Sequence, residues 1–89
     1  MAQTNEHFVI LISSLASSCW INLGKIPNPV TNKVEINLDE AKIGIEMLRM
    51  LKEKTQNNLS EEEERTLISL ISDLELNYAD EVKKQQKQS

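Results

Sequence analysis

One histidine and one cysteine among 89 residues exclude more chemistry than any motif present invites. The lone cysteine, Cys19, rules out an internal disulfide. With no secretory signal evident, a reducing cytoplasm is the expected compartment. His7 and Cys19 fall on one predicted helix, about 18 Å apart along its axis, so they cannot form a nucleophile–base pair within a chain. A zinc site needs three or four ligands at set spacings, which this chain does not supply. No catalytic residue, metal or cofactor is therefore expected, and the chain reads as a non-enzyme. Aromatic residues are as scarce: Phe8, Trp20 and Tyr78 offer no base-stacking platform. A net charge of −4, from ten basic and fourteen acidic side chains, opposes binding to nucleic acid phosphates.

Charge is missing altogether from residues 8–24. A membrane-spanning helix needs about 20 mainly apolar residues. This run is shorter and is interrupted by Ser13, Ser14, Ser17, Ser18 and Asn22. A signal peptide would want a positive leading segment, yet Met1–His7 offers only Glu6 and the histidine. Leu15-Ala16-Ser17-Ser18-Cys19 superficially resembles a lipoprotein attachment site but lacks that basic segment. The stretch reads as a buried soluble helix. A membrane-associated protein or an exported lipoprotein is the alternative.

What is present reads as an all-α, three-helix protomer in a single helical domain, residues 1–82, with a polar tail over 83–89 that frays. The first helix spans about 6–23, with Thr4 or Asn5 as N-cap and Gly24 just past its end. Leu11, Leu15, Phe8, Cys19, Ile12, Leu23, Ala16, Val9 and Trp20 cover half its circumference. The other half holds the four serines together with Ile10 and Ile21. A helix packed on one side only would carry charge on its outer side. Here there is none, so the second face reads as buried too, with serines permitting close helix–helix approach. Ile10, Ser14, Ser17, Ser18 and Ile21 are therefore the candidate self-association face, and the expected partner is a second copy of the chain, as a homodimeric helical bundle. A further protein partner is left open.

The second helix spans about 39–55, capped by Asn37 with Glu40 or by Asp39 alone. Its apolar arc takes in Ile43, Met47, Met50, Leu51, Gly44, Leu48, Ala41 and Ile45, more than one neighbour covers. Asn57 or Asn58 can end it in the left-handed region. The third spans about 60–82. Ser60-Glu61-Glu62-Glu63 is a capping box, and four glutamates suit the positive end of the helix dipole. Leu67, Ile71, Leu74, Tyr78 and Val82 follow at helical spacing. Consecutive glutamates point in different directions, so Glu61–Glu64 is read as a helix start and not as a metal cluster.

Between the first two helices lies a long bridge, Lys25 to Leu38. Pro27 and Pro29 forbid helix there. Ile26, Val30, Val34, Ile36 and Leu38 fall on even positions, a pattern that suits an extended segment laid on an apolar surface. Val34-Glu35-Ile36 could form an edge strand pairing with a symmetry mate, and Thr31-Asn32 is the expected turn tip. Ile26, Pro27, Asn28, Pro29 and Thr31 form a candidate recognition bridge; the competing reading is a rigid connector.

Leu15-Ala16, Leu23-Gly24, Ile26-Pro27-Asn28-Pro29 with Thr31, Leu38-Asp39, Lys54-Thr55, Asn58-Leu59 and Glu62-Glu63-Glu64 come in an order that resembles a bacterial family, domain of unknown function 1844. The resemblance covers roughly residues 8–79, and Gly-x-Ile-Pro-Asn-Pro-x-Thr is its most specific part. It implies a short cytoplasmic all-helical protein and brings no activity, cofactor or catalytic residue. The family pattern has glycine where this chain has Asn32 and Asn57. Relatives often carry arginines near the last aromatic residue, whereas Glu75 and Asn77 precede Tyr78 here.

Overall fold

The structure, a computed structural model, describes residues 3–87. It is all-α: α1 (Glu6–Asn22), α2 (Leu38–Lys54) and α3 (Glu61–Lys87), with no strand among the described residues.

Each helix begins where a side chain can satisfy the free amide groups of its first turn. Asn5 caps α1 and accepts from the His7 N–H at 2.9 Å. Asn37 caps α2 and accepts from the Glu40 N–H at 3.1 Å. At the start of α3 the capping box closes in both directions: the Glu63 N–H donates to Ser60 Oγ at 3.1 Å, and the Ser60 N–H donates to Glu63 Oε1 at 2.8 Å.

Helix ends follow the same economy. Past Leu23, Gly24 takes φ +76°, and α1 closes in a Schellman motif. The Lys25 N–H reaches the Trp20 carbonyl and the Gly24 N–H reaches that of Ile21, each at 3.0 Å. After α2, Asn57 adopts φ +70°. Asn32 in the bridge adopts φ +61°. Both asparagines thus occupy left-handed positions, where glycine is the least strained residue and asparagine the next.

Two contacts fix the helix directions. Thr4 and Asn5, at the start of α1, meet Ser60 and Glu63 at the start of α3. Lys25, just past the end of α1, lies 3.7 Å from Glu81 near the end of α3. The two helices therefore run parallel, and α2 returns antiparallel beside them; all three pairs touch. Their common core takes Ile12, Ala16, Cys19 and Leu23 from α1 and its cap, Ala41, Ile45 and Leu48 from α2, and Leu67, Ile71 and Leu74 from α3. Fully burying a leucine or isoleucine contributes about 1.5–3 kcal/mol.

Three expectations need correction. The third helix does not end near residue 82: α3 continues through Lys87, helped by strong helix formers and by Lys84 reaching back to Asp80 at 3.4 Å. Gln88 and Ser89 lie outside the described residues, as do Met1 and Ala2. The bridge does not lie flat on an apolar surface. It doubles back, with the Asn28 N–H on the Lys33 carbonyl at 2.8 Å and the Asn32 N–H on that of Asn28 at 2.6 Å. Ile36 makes one antiparallel bridge with Leu23 of its own chain, in place of an edge strand offered to a second copy.

Candidate functional site

The uncharged first helix turns one side inward and leaves the other bare. Ile12, Ala16 and Cys19 point into the core, so residues half a turn away must face out. Ser14, Ser17 and Ser18 are exposed, Ile10 is 60% exposed, and Ile21 is half-buried. The face that reads as buried is therefore uncovered within the protomer. It lies as a strip along α1 with Leu11, 46% exposed, at its edge.

The strip widens onto α2. Gly44 and Ala41 face α1, where the Cys19 Sγ lies 3.8 Å from the Ala41 carbonyl oxygen. Ile43, Met47 and Met50 sit on the outer flank of that α1-facing side and are each nearly half exposed. The charged strip of α2 turns the other way, where Arg49 pairs with Glu75 of α3. Glycine at position 44 lets the helices approach: a methyl group there would collide with Cys19 Sγ. Cys19 itself is buried, and burial pushes its thiol pKa up, the opposite of what a reactive cysteine needs. His7 is exposed near the start of α1.

The bridge residues stand together at the far end of α1. Ile26, Pro27, Pro29 and Thr31 are exposed and Asn28 is half-buried. Asn28 organises the loop, because its side-chain oxygen also accepts from the Val30 N–H at 2.8 Å. Thr31 donates to Glu35 at 2.8 Å. The polar groups of the segment are thus spent on its own shape, while Val30 is 91% exposed at the turn.

A cleft of about 530 Å³ opens between the end of α2 and α3, lined by Arg49, Glu53, Asn57, Glu64 and Glu75 among others. Both charge signs line it, and one of its two cations, Arg49, already has a partner in Glu75. Among the described residues, no buried side-chain nitrogen or oxygen lacks a hydrogen-bond partner. Nor does any group of three or more His, Cys, Asp and Glu residues there suit a metal ion. Of the four glutamates opening α3, Glu63 alone turns inward.

Glu63 does more than the local capping motif foretells. Its second oxygen accepts from the Asn5 N–H at 2.8 Å, so one carboxylate caps α3 and ties down the start of α1. The backbone hydrogen bonds from Ser60 and Asn5 hold its pKa below the ordinary glutamate value. Thr4 adds a 2.8 Å contact to Ser60 Oγ. No local spacing could reveal a link between residues 58 positions apart.

No helix among the described residues is long and apolar enough to cross a membrane. No curated protein and no solved structure matches the chain. One family model does match it, over residues 5–80, taking in all of α1 and α2, the Pro-Asn-Pro bridge and most of α3. The chain belongs to that family, Domain of unknown function (DUF1844).

Proposed function

We propose that the protein is a non-enzymatic assembly module that acts as a homodimer, with the outer face of α1 as the contact between copies. One observation carries this reading: residues 8–24 hold no charge, yet the outer side of the helix they form is open to solvent from Ile10 to Ser18, with Ile10 and Leu11 exposed upon it. A solvent-facing helix surface ordinarily carries charge, and contiguous apolar surface marks an interaction site. Serines at the centre of the face have small side chains and permit close approach of a second helix. The exposed Ile43, Met47 and Met50 broaden the same surface. Stable interfaces bury about 800 Å² per partner, which favours a contact built from two helices over one built from α1 alone.

A lipoprotein reading would need Cys19 at a cleaved, accessible terminus. Cys19 sits instead near the end of a continuous helix, packed under Gly44. The deciding experiment is size-exclusion chromatography with light scattering on the full chain. Two protomers per particle at tens of micromolar support the proposal, and a monomer at that concentration ends it.

A further inference from the structure

We infer that the two copies in the dimer meet at α2, whose outer strip packs antiparallel on the partner's α2 across a two-fold axis at Met47, with Glu40 of each copy beside the partner's Lys54. This rests on the homodimer reading above and goes beyond it by naming the helix at the axis, its direction and its register. At about 100° per residue, Glu40, Ile43, Met47, Met50 and Lys54 fall within an arc of about 80° on α2, and no other residue of the helix shares that arc. All five are exposed. They run from an acid in the first turn, through three apolar side chains, to a base in the last turn. Their spacings of three and four are those of a helix seam. The arc is turned away from the side that buries Ala41, Ile45 and Leu48. Gly44, three residues from Met47, packs on Cys19 of α1, so a contact centred on Met47 continues onto the bare face of α1.

Apolar side chains alone do not choose an occupant; the charges do. Glu40 and Lys54 each stand seven residues from Met47, one on either side. Reversing the strip about Met47 brings each Glu40 level with the partner's Lys54, and Ile43 within one residue of level with the partner's Met50. A closed dimer contact must be self-complementary, and this strip is so in charge as well as in apolar surface. A parallel pair would instead set Glu40 on the partner's Glu40 and Lys54 on the partner's Lys54, with the two helix dipoles aligned. Both charges belong to α2 itself and lie on the strip. Neither forms an ion pair among the described residues, whereas Arg49, on the flank toward α3, is held by Glu75. The helix dipole favours an acid at the start and a base at the end, but it does not favour placing them on the apolar arc. Methionine suits the axis, where a side chain meets its own copy, because its flexible thioether adapts to the space left.

Charge reversal tests the arrangement, read by sedimentation equilibrium of the full chain at low ionic strength. Glu40→Lys or Lys54→Glu alone makes both cross-axis pairs repulsive and should weaken the dimer at least about fivefold, while the double variant should return to within about twofold of the parent. Unchanged affinity in the single variants would overturn the inference, as expected of a parallel pair, where like charges meet before and after the change. A double variant weaker than either single one would overturn it too, because both changes oppose the helix dipole and such losses add. A second arm is independent of charge. Met47→Cys, treated with a short thiol-reactive cross-linker, should give at least about fivefold more covalent dimer than Ser69→Cys on the exposed side of α3, because thiols at the axis face each other. Native Cys19 is buried and does not compete. Dimers by light scattering whose Met47→Cys chains fail to cross-link would place the axis elsewhere, overturning the arrangement and leaving the homodimer intact. A monomeric parent chain removes the homodimer and the arrangement together.

Discussion

α1 and α3 lie parallel and feed the same core, yet their outer surfaces differ in kind. The solvent side of α3 carries Glu61, Glu62, Arg65, Asp73, Asp80 and Lys83, all exposed, with Ile68 and Leu76 as isolated apolar residues among them. The solvent side of α1 carries serines and isoleucines and no charge between Phe8 and Gly24. Inner faces show where a helix packs. Outer faces show whether its packing is finished, because single exposed apolar residues are ordinary and an uncharged strip is not.

The sharpest way to break this contrast is to place the same charge on both helices. Ser14→Glu or Ser18→Glu should weaken the proposed dimer by about 3 kcal/mol or more, on the order of 100-fold, because a carboxylate would enter the proposed contact with no partner for it. Ser69→Glu or Ser72→Glu, on the exposed side of α3, should change neither assembly nor melting by more than about 0.5 kcal/mol. Sedimentation equilibrium and thermal melts of the four variants read both effects. Equal behaviour of the two helices would show that α1 is as fully wetted as α3.

A smaller effect separates the inner faces. Gly44 lies where α2 presses on α1, so Gly44→Ala should cost about 1–3 kcal/mol through overpacking against Cys19. At an unhindered helix position the same change would stabilise by about 0.5–1 kcal/mol. Removing the sulfur with Cys19→Ala in the same chain should recover much of the loss. A double-mutant cycle in denaturant with no coupling between the two changes would show that the close approach is not there.

Much of this framework could be read in advance because its determinants are local. Ser60 and Glu63 stand three apart, Gly24 follows the last apolar residue of α1, and Leu67, Ile71 and Leu74 repeat at helical spacing. The exposed side of α1 was legible as well, since an absence of charge is a property of the sequence. Its cover was not, because burial read from composition does not say whether the covering surface belongs to the same chain. The bridge misled for a related reason: its even-numbered apolar residues suggest an extended ribbon, but Asn28 and Asn32 bend it back through hydrogen bonds and a left-handed turn. Glu63 joining two helix starts, and Glu81 reaching Lys25, depend on parallel packing that no short window encodes.

Glu63 ties the two compared helices together, and pH tests the tie. Its pKa is lowered in the folded chain, so the stabilisation is complete above the ordinary glutamate value of about 4.3 and is lost as pH falls through the lowered folded value. Glu63→Gln puts an amide N–H₂ against a backbone N–H that needs an acceptor. At pH 7 it should melt roughly 5 °C lower than the parent, with the gap closing as the pH drops below 4. A constant gap across that range would assign the loss to packing and not to the charged cap. Amide exchange at the start of α1 should quicken in the same variant, since Asn5 loses its acceptor.

The smallest effect belongs to the wet flank that α3 shares with α2. Arg49 and Glu75 form an ion pair there, but the arginine side chain is 58% exposed and the glutamate 37%. In high dielectric such a pair gains little Coulomb energy, spends side-chain entropy, and is screened by salt. Replacing both residues with alanine should therefore cost about 0.5 kcal/mol or less, and the dimer should persist, because this flank points away from the α1 strip. A coupling energy well above 1 kcal/mol in a double-mutant cycle, or loss of the dimer, would mean that the charged flank is also covered. The contrast between a wet side and an unfinished side would then no longer divide the molecule at α1.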